Sequence, residues 1–508
     1  MFRLDAKQAI LDHATNRRAR HEACDMLTAA ATRVAREPAE PTMSAAVIVG
    51  VAQAVEAALL TALGFAIFGL YVNQQGDVSF YVPVTLGTVL VANILFNAVR
   101  SHRIPMYRTF LKQVGRVLAA WTAVMVLVAV LAFMLKASDS VSRVWVVSWF
   151  VGGAAALVGY RVMLRALVWK WTRAGRLKRR TVIVGGGKDA AELIAAIRRG
   201  AENDVNLIGL FDDRIDDRSP DEVMGVPKLG KVAGLVEFAR QTRVDLVIVS
   251  MPLSAETRVL EMLKQLWVLP VDIRLSAHMS KLRLASRAYS YLGDVPVFDV
   301  ADRPISDWNL VFKWLFDHVL AAFALILLSP IMIATAIAIK LDSKGPVLFK
   351  QKRQGFNNEL IEVYKFRSMR TDMADQNASR LVTRDDPRVT RVGRFIRKTS
   401  IDELPQLFNV LRGQLSIVGP RPHALQAKAA NVLYYEAVEG YFARHRVKPG
   451  ITGWAQINGW RGETDTLDKI MQRVNHDLYY IEHWSLLLDL YIVVMTPISL
   501  FVRSENAY

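Results

Sequence analysis

Two adjacent carboxylates, Asp402 and Glu403, stand in Thr399-Ser-Ile-Asp-Glu-Leu-Pro-Gln at the head of an apolar helical pattern formed by Leu404, Leu407, Phe408 and Leu411. Arg394 and Arg397 precede them, and Arg421 follows in a rigid Pro-Arg-Pro. A helix N-terminus is electropositive, so a carboxylate there stays ionised and a phosphate can approach. Guanidinium groups add two-pronged phosphate contacts. Two like carboxylates facing a phosphate would repel it, which calls for a divalent cation between them. A purely structural role accounts for the same residues. Ser400 and Glu403 fit a capping box, and acids are common in a first helical turn. Pro405 suits a helix that starts slightly later. On this stretch alone, catalysis and capping stand level.

The chain that must position these groups has 508 residues, enough for two or three domains. It is 52% hydrophobic yet carries a formal charge of +17. That pairing is natural for a membrane protein with basic cytoplasmic segments. No nucleic-acid-binding motif accompanies the charge, so no nucleic-acid partner is expected. The single cysteine, Cys24, allows no intrachain disulfide and no Cys-rich metal site. Residues 1–42 are polar and Arg-rich and lack the arrangement of a cleavable signal. Four apolar runs follow, near 45–72, 80–99, 115–135 and 144–168, each about the 20 residues needed to cross a bilayer. Basic residues crowd the segment between the second and third runs and the stretch from Lys170 to Arg180, which places both ends of this four-helix unit (43–172) in the cytoplasm. Glu56 is read as the lone ionisable residue deep in a span, which argues for an anchor rather than a transport path.

At Thr181 the pattern becomes strand, glycine turn, helix, and it repeats as an α/β doubly wound unit over about 178–278. Gly185-x-Gly187-x-x-Ala190 is similar to the dinucleotide fingerprint, with Asp212 as the acid roughly 25 residues on. The same glycines also make the tight turn any such fold needs. No Tyr-x-x-x-Lys accompanies them, so a nicotinamide-dependent sugar dehydratase is not indicated.

Residues 279–312 read as a connector. The apolar run Val319–Ile339 is broken at its centre by Ser329-Pro330 and is flanked by Lys313 and by Lys340, Lys344, Lys350, Lys352 and Arg353. Basic flanks on both sides give neither end a preference for the outside. Proline removes a backbone donor and bends a helix, and a serine hydroxyl can satisfy the freed carbonyl. A re-entrant helix over 315–341, entering and leaving on the cytoplasmic face, is expected. Basic, alternating segments follow around Tyr364-Lys365-Phe-Arg-Ser-Met, suited to anionic headgroups or a phosphate substrate. Leu486–Phe501 is short, apolar and preceded by Tyr479, Tyr480 and Trp484; a helix in the membrane interface and a buried core helix both fit.

Taken together, Ser329-Pro330, Tyr364-Lys-Phe-Arg-Ser-Met, Arg397-Lys-Thr-Ser-Ile-Asp-Glu-Leu-Pro-Gln, Val418-Gly-Pro-Arg-Pro and Lys448-Pro-Gly-Ile-Thr-Gly-Trp resemble the bacterial sugar transferases, the monotopic phosphoglycosyl transferases, over about 310–508. The spans and α/β domain ahead resemble the long form of that family. The ending, Asn458-Gly-Trp-Arg-Gly-Glu-Thr-Asp-Thr-Leu and Asp477-Leu-Tyr-Tyr-Ile-Glu-His-Trp-Ser-Leu, is similar to that of glucose phosphotransferases of exopolysaccharide synthesis. The resemblance implies three parts: a four-helix transmembrane unit, a cytoplasmic Rossmann-like α/β domain, and an α/β monotopic catalytic domain (313–508) with a re-entrant helix. It implies transfer of sugar 1-phosphate from a UDP-sugar, most simply UDP-glucose, to undecaprenyl phosphate at the bacterial inner membrane, with UMP released. Asp402 would be the nucleophile, Glu403 its partner, and both would hold Mg2+. Arg397, Arg421 and, more weakly, Lys365 would bind phosphate. A homodimer through the α/β domain is the expected assembly. The competing expectation is a membrane-tethered nucleotide sensor or scaffold that works through Gly185, Gly187 and Asp212.

Overall fold

The computed structural model describes residues 27–38, 42–72, 78–99, 101–102, 110–136, 141–199, 204–214, 219–251, 256–276, 290–292, 295–370, 388–423, 428–429, 432–434, 438, 440–460, 462 and 466–502. The chain forms two compact units. One comprises residues 40–179, and the other residues 1–39 together with 180–508. A short helix, α1 (Ala29–Arg36), belongs to the second unit.

The first unit contains four long apolar helices: α2 (Ala45–Ile67, extended by a π-helical turn at Phe68–Val72), α3 (Val78–Ala98), α4 (Phe110–Met134) and α5 (Arg143–Arg173). Small residues let these helices meet around bulky indoles. A Cβ on Gly153 would lie 2.7 Å from the Trp121 ring, and one on Gly64 would lie 3.1 Å from Trp149. The indole N–H groups of Trp145 and Trp149 donate to the carbonyls of Gly64 and Leu60 at 2.9 and 3.0 Å. Such partners matter where no water is at hand.

Glu56 is not the lone ionisable group in this unit. Arg161, fully buried on α5, reaches its Oε1 at 2.5 Å, and His102 meets its Oε2 through Nε2 at 2.7 Å. The expectation of a single deep charge is corrected. A buried carboxylate needs a partner on the same level of the bundle, and Arg161 lies within the 144–168 run itself. Gln113 of α4 and Arg161 both donate to the Ser101 carbonyl, so residues 101–102 are tied to α2, α4 and α5.

In the second unit a mixed sheet comes first in sequence. It is built from β1 (Arg179–Val184), β2 (Val205–Phe211), β3 (Glu222–Val223), β4 (Val226–Gly230), β5 (Leu246–Val249), β6 (Asp272–Ser276), β7 (Ser290–Leu292) and β8 (Val295–Ala301), in the spatial order β3-β4-β2-β1-β5-β6-β8-β7. The central strands are parallel and fully buried. Burial on both faces is why they read as unbroken Val-Ile-Leu runs instead of alternating. Val182 and Val184 pack with α7 (Val232–Gln241) and α8 (Glu256–Leu266), while Ile183 packs with α6 (Gly187–Arg199) on the other face. The stretch 279–312 is more than a connector, since it supplies β7 and β8 to the sheet edge as antiparallel strands.

The remainder opens with α9 (Asp307–Asp342), an uninterrupted helix of 36 residues with Pro330 inside it. Ser329 Oγ donates to the Ile326 carbonyl at 2.9 Å, compensating part of the polarity that proline exposes. The hairpin of β9 (Leu348–Gln354) and β10 (Leu360–Phe366) follows. Next come α10 (Arg391–Lys398), a 3-10 turn at Ile401–Glu403, α11 (Gln406–Leu411), β11 (Ser416–Val418) and its parallel partner β12 (Gly450–Thr452). The last elements are α12 (Leu467–Glu482) and α13 (Leu486–Val502). Ala321, Val363, Leu407, Val410, Val418, Tyr480 and Ile492 form their common core. The core reading of the last helix holds for one side: Asp489 and Ile492 are fully buried, while Leu487, Leu490, Tyr491 and Val494 are exposed along its other side.

Among the described residues five helices, α2 to α5 and α9, are long and apolar enough to cross a membrane by length and composition. Yet both ends of α9 are bound to the same folded region. Near its start, Lys313 Nζ meets Asp489 at 2.7 Å, and Asp317 Oδ1 accepts from Ser416 Oγ and the Ile417 N–H at 2.9 and 3.0 Å. At its end, Ile339 packs with Phe366 and Ile396, and Arg367 donates to the Ser343 carbonyl at 2.6 Å.

Candidate active site

The site is assembled at the 3-10 turn. Ser400 ends α10 in the left-handed region, at φ 58° and ψ 16°, a conformation costly for a non-glycine residue. Its side chain makes no cap bond to the turn, so the expected capping box is absent. The helix begins late: Pro405 occupies the N-cap position of α11 with fixed φ −61°, as a proline at a helix start should. Asp402 and Glu403 are thereby held in a short 3-10 turn ahead of the helix.

Two neighbouring segments fix what surrounds them. Asn409 of α11, fully buried, accepts from the Tyr364 N–H at 2.9 Å and donates to the Glu362 carbonyl at 2.6 Å. This side chain stitches α11 to β10 and so places Lys365, whose Nζ meets Glu403 Oε1 at 2.8 Å. Arg421 is positioned by the two glycine-rich motifs, which need each other. A Cβ on Gly450 would fall 2.1 Å from the Gly419 nitrogen, so only glycine allows this approach. Gly419 N–H donates to the Thr452 carbonyl at 2.9 Å, and Gly450 N–H to the Pro420 carbonyl at 3.0 Å. Arg421 then grips Glu403 with both guanidinium nitrogens, Nη1 reaching Oε2 at 3.2 Å and Nη2 reaching Oε1.

The two carboxylates end in different states. Burial alone would raise the Glu403 pKa, but Arg421 and Lys365 outweigh it and hold the group well below the usual range. Asp402 is pushed the other way, chiefly by burial and by the charge of Glu403, against the pull of Lys365, Arg397 and Arg421. Among the described residues Asp402 has neither hydrogen bond nor ion pair, whereas both Glu403 oxygens are taken. An acid beside its ionised neighbour, with its own oxygens open, is what a carboxylate nucleophile requires.

Of the expected phosphate binders, Lys365 and Arg421 converge on Glu403, and Arg397 lies close enough to act electrostatically on Asp402. Three arginines escaped the sequence reading. Arg444, fully buried, donates to the Arg421 carbonyl at 2.7 Å and to Asp477 Oδ2 at 2.6 Å, bracing the Pro-Arg-Pro from behind. Arg353 donates to the Pro422 carbonyl, and burial and the charge of Arg421 pull its pKa down to about 10. Arg473, similarly lowered to about 10 by burial, and also by Arg421 and Arg444, holds the Trp460 and Gly462 carbonyls at 2.6 and 3.0 Å. The i, i+4 spacing of Arg473 and Asp477 was the available signal; nothing in sequence ties Arg353 to Arg421. Around the ionised Glu403 the site thus gathers Lys365, Arg421 and Arg353, an excess of positive charge suited to an anion.

Among the described residues, no group of three or more His, Cys, Asp or Glu that could hold a metal lies together. The donors still suit Mg2+, which prefers hard oxygen, keeps several waters and leans on substrate phosphates. Of the two expected ligands, Asp402 has the open oxygens and Glu403 is engaged by Arg421 and Lys365. The glycine turn of the mixed sheet is internally satisfied. Gly185 and Gly187 take φ of +101° and +78°, and Asp212 Oδ2 accepts the Gly186 N–H at 2.8 Å and pairs with Arg214 at 3.0 Å. That consumes an amide a phosphate would otherwise use.

The family described as bacterial sugar transferase matches residues 308–503, and one described as CoA-binding domain matches residues 101–277. A UDP-glucose:undecaprenyl-phosphate glucose-1-phosphate transferase of Xanthomonas campestris pv. campestris is 36% identical over 436 residues, covering 84% of this chain and 89% of the relative. This chain belongs to the bacterial sugar transferase family. The transferase of the same name from Escherichia coli K12 is 38% identical over 384 residues, covering 75% of this chain and 80% of its own. An undecaprenyl-phosphate glucose phosphotransferase of Komagataeibacter xylinus is 44% identical over 338 residues, and there the match spans 62% of the relative's length and 66% of this chain. Membership agrees with the site: this sugar transferase carries its open carboxylate and its arginines within residues 308–503.

Proposed function

We propose that this sugar transferase moves glucose 1-phosphate from UDP-glucose to undecaprenyl phosphate and releases UMP, as the first membrane step of exopolysaccharide synthesis. The observation that carries the reading is Asp402, buried and, among the described residues, unpaired beside a Glu403 held ionised by Arg421 and Lys365. The glucose donor and lipid acceptor are those in the relatives' names.

In the proposed sequence an Asp402 oxygen attacks the β-phosphorus of the donor. The bond from that phosphorus to the bridging oxygen breaks, its electron pair stays on that oxygen, and UMP leaves. A glucosyl phosphate remains esterified to the Asp402 carboxylate. A phosphate oxygen of the lipid then attacks the same phosphorus, the Asp402 carboxylate departs, and the lipid carries a diphosphate-linked glucose. Splitting the transfer in two avoids bringing two anionic substrates together at once. Arg421 and Lys365, set on Glu403, present cationic edges to the equatorial oxygens as charge moves in the transition state. Bound Mg2+ at Asp402 would supply charge neutralisation of the pyrophosphate.

The site would lie at the cytoplasmic face of the inner membrane, where lipid phosphate and soluble nucleotide meet. Support comes from α9. Its two ends are tied to one folded region through Lys313–Asp489 and Arg367–Ser343, which favours entry and exit on one face. In the bilayer α9 would re-enter by bending near Ser329-Pro330, where proline withholds a backbone donor. Incubating the protein with Mg2+ and UDP-glucose labelled with 32P in the β-phosphate, without lipid, tests the mechanism. The account expects acid-stable, hydroxylamine-sensitive label on the peptide containing Asp402. Label appearing only when lipid is present, and never on protein, would rule out the covalent step.

A further inference from the structure

A cavity of about 780 Å³ lies where the mixed sheet meets the catalytic region, away from the carboxylate pair in its lining and not used by the reaction above. One wall is the end of α7 and the start of β5, from Ala239 to Asp245; another is the start of α9, from Leu310 to His318; the floor is β11 with the segment Arg446–Lys448. The two sides are fastened beside it: Asn357 donates to the Ala239 carbonyl at 2.9 Å, and Arg446 to the Asp302 carbonyl at 3.0 Å while stacking on Trp267. The volume falls in the range of specific ligand sites, about 300–1,000 Å³.

The lining has two characters. Aliphatic and aromatic side chains such as Val244, Ile305, Val311 and Trp314 make most of it, and six basic residues face it against three acidic ones. Most of those charges are already spent. Arg243 and Arg303 share Asp245, and Lys313 is held by Asp489 and Asp317. Lys448 is different: among the described residues its ammonium has no ion pair or hydrogen bond, although it is partly buried at the floor. The charge of Asp317 acts on it without a contact and Lys313 opposes it, so an anionic ligand group would give this partly buried ammonium the direct partner it lacks among the described residues.

The opening supplies the rest. Leu310 and Trp314 line the cavity and are also 55% and 54% exposed, at the start of the apolar α9, beside the exposed Phe312 and Leu315. Aromatic residues at the end of an apolar helix mark the headgroup level of a bilayer. We infer that this cavity is a binding site for an anionic phospholipid, its acyl chain entering past Leu310 and Trp314 and its phosphate resting on Lys448. The inference rests on the membrane placement of α9 proposed above, and it gives the α/β domain a part in sensing or seating the enzyme on acidic lipid.

The test is photolabelling of the full-length protein in phosphatidylcholine nanodiscs. The probe is phosphatidic acid bearing a diazirine on one acyl chain, compared with phosphatidylcholine bearing the same group. The expected result is labelling of residues 239–245 and 303–318 by the acidic probe only, at least fivefold lower in Lys448→Met and retained in Lys448→Arg. Leu310→Glu, at an exposed position that should fold normally, is expected to lower it likewise. Equal labelling by the neutral probe, or labelling indifferent to both substitutions, overturns the proposal. So does loss of labelling with excess UDP-glucose, which would put a nucleotide in the cavity, or with inorganic phosphate, which would make the occupant a free anion. Labelling of residues 319–337 by either probe reports the membrane placement of α9 separately. Its absence would reject that placement, whereas its presence with an unlabelled cavity rejects the lipid site alone.

Discussion

Arg421 holds Glu403 with both of its terminal nitrogens across 18 residues of sequence, and leaves the adjoining Asp402 unheld. The two carboxylates therefore have opposite relations to folding. Glu403→Gln removes the partner of Arg421 and Lys365 and is expected to destabilise the protein by about 2–3 kcal/mol. Asp402→Asn removes a charge that burial opposes, and is expected to leave stability unchanged or raise it at neutral pH while lowering turnover by at least about 10³-fold. Thermal unfolding of both variants, read beside their activity, checks the pair of signs. A destabilised Asp402→Asn would contradict it.

The acid limb of the pH profile follows from the same difference. Asp402 must be ionised to attack, and its pKa is raised, so activity should rise with pH through a range above that of an ordinary carboxylate. Stability moves in two directions. The contribution of Glu403, whose folded pKa is depressed, is present above its unfolded pKa and lost as pH falls through the folded one. That of Asp402 is present below its unfolded pKa and lost as pH rises through the folded one. Glu403→Gln should thus flatten the acid loss of stability, measured by denaturant unfolding between pH 3 and 7, and Asp402→Asn should not.

Within the helical unit, Arg161→Met leaves Glu56 and His102 facing a missing cation. A loss of about 3–5 kcal/mol is expected, with part of it recovered when Glu56→Gln is added. Unfolding in mixed detergent, compared across the double-mutant cycle, measures the coupling. Additive losses would mean the pair is not energetically linked.

If α9 enters and leaves on one face, Asn309→Cys and Lys344→Cys, both at exposed positions, should react with an impermeant maleimide from the same side of sealed, oriented vesicles after Cys24 is replaced. Reaction from opposite sides would make α9 an ordinary span.

Much of this was legible in the chain. The four apolar runs, the strand-turn-helix at Thr181 and the Asp402-Glu403 turn follow from local periodicity and turn chemistry, and Pro405 already marked the late start of α11. What stayed hidden depends on contacts between distant segments. Arg161 was passed over because a basic residue in an apolar run declares its role only when Glu56 arrives from another helix. The strands β7 and β8 were read as a connector because their antiparallel pairing with β6 and with each other is set by register across the chain and not by a local apolar run. Arg353 and Arg444 reach Arg421 from 68 and 23 residues away, through the backbone of Pro422 and of Arg421 itself, which no spacing rule anticipates.

The central claim is that phosphate travels with the sugar. UDP-glucose carrying 32P in the β-phosphate and 14C in the glucose, given to the protein with Mg2+ and undecaprenyl phosphate, decides it. Both labels should appear in the lipid in equal amounts, with unlabelled UMP in solution and neither label transferred by Asp402→Asn. Carbon label alone in the lipid, with the phosphorus left on soluble UDP, would contradict the account.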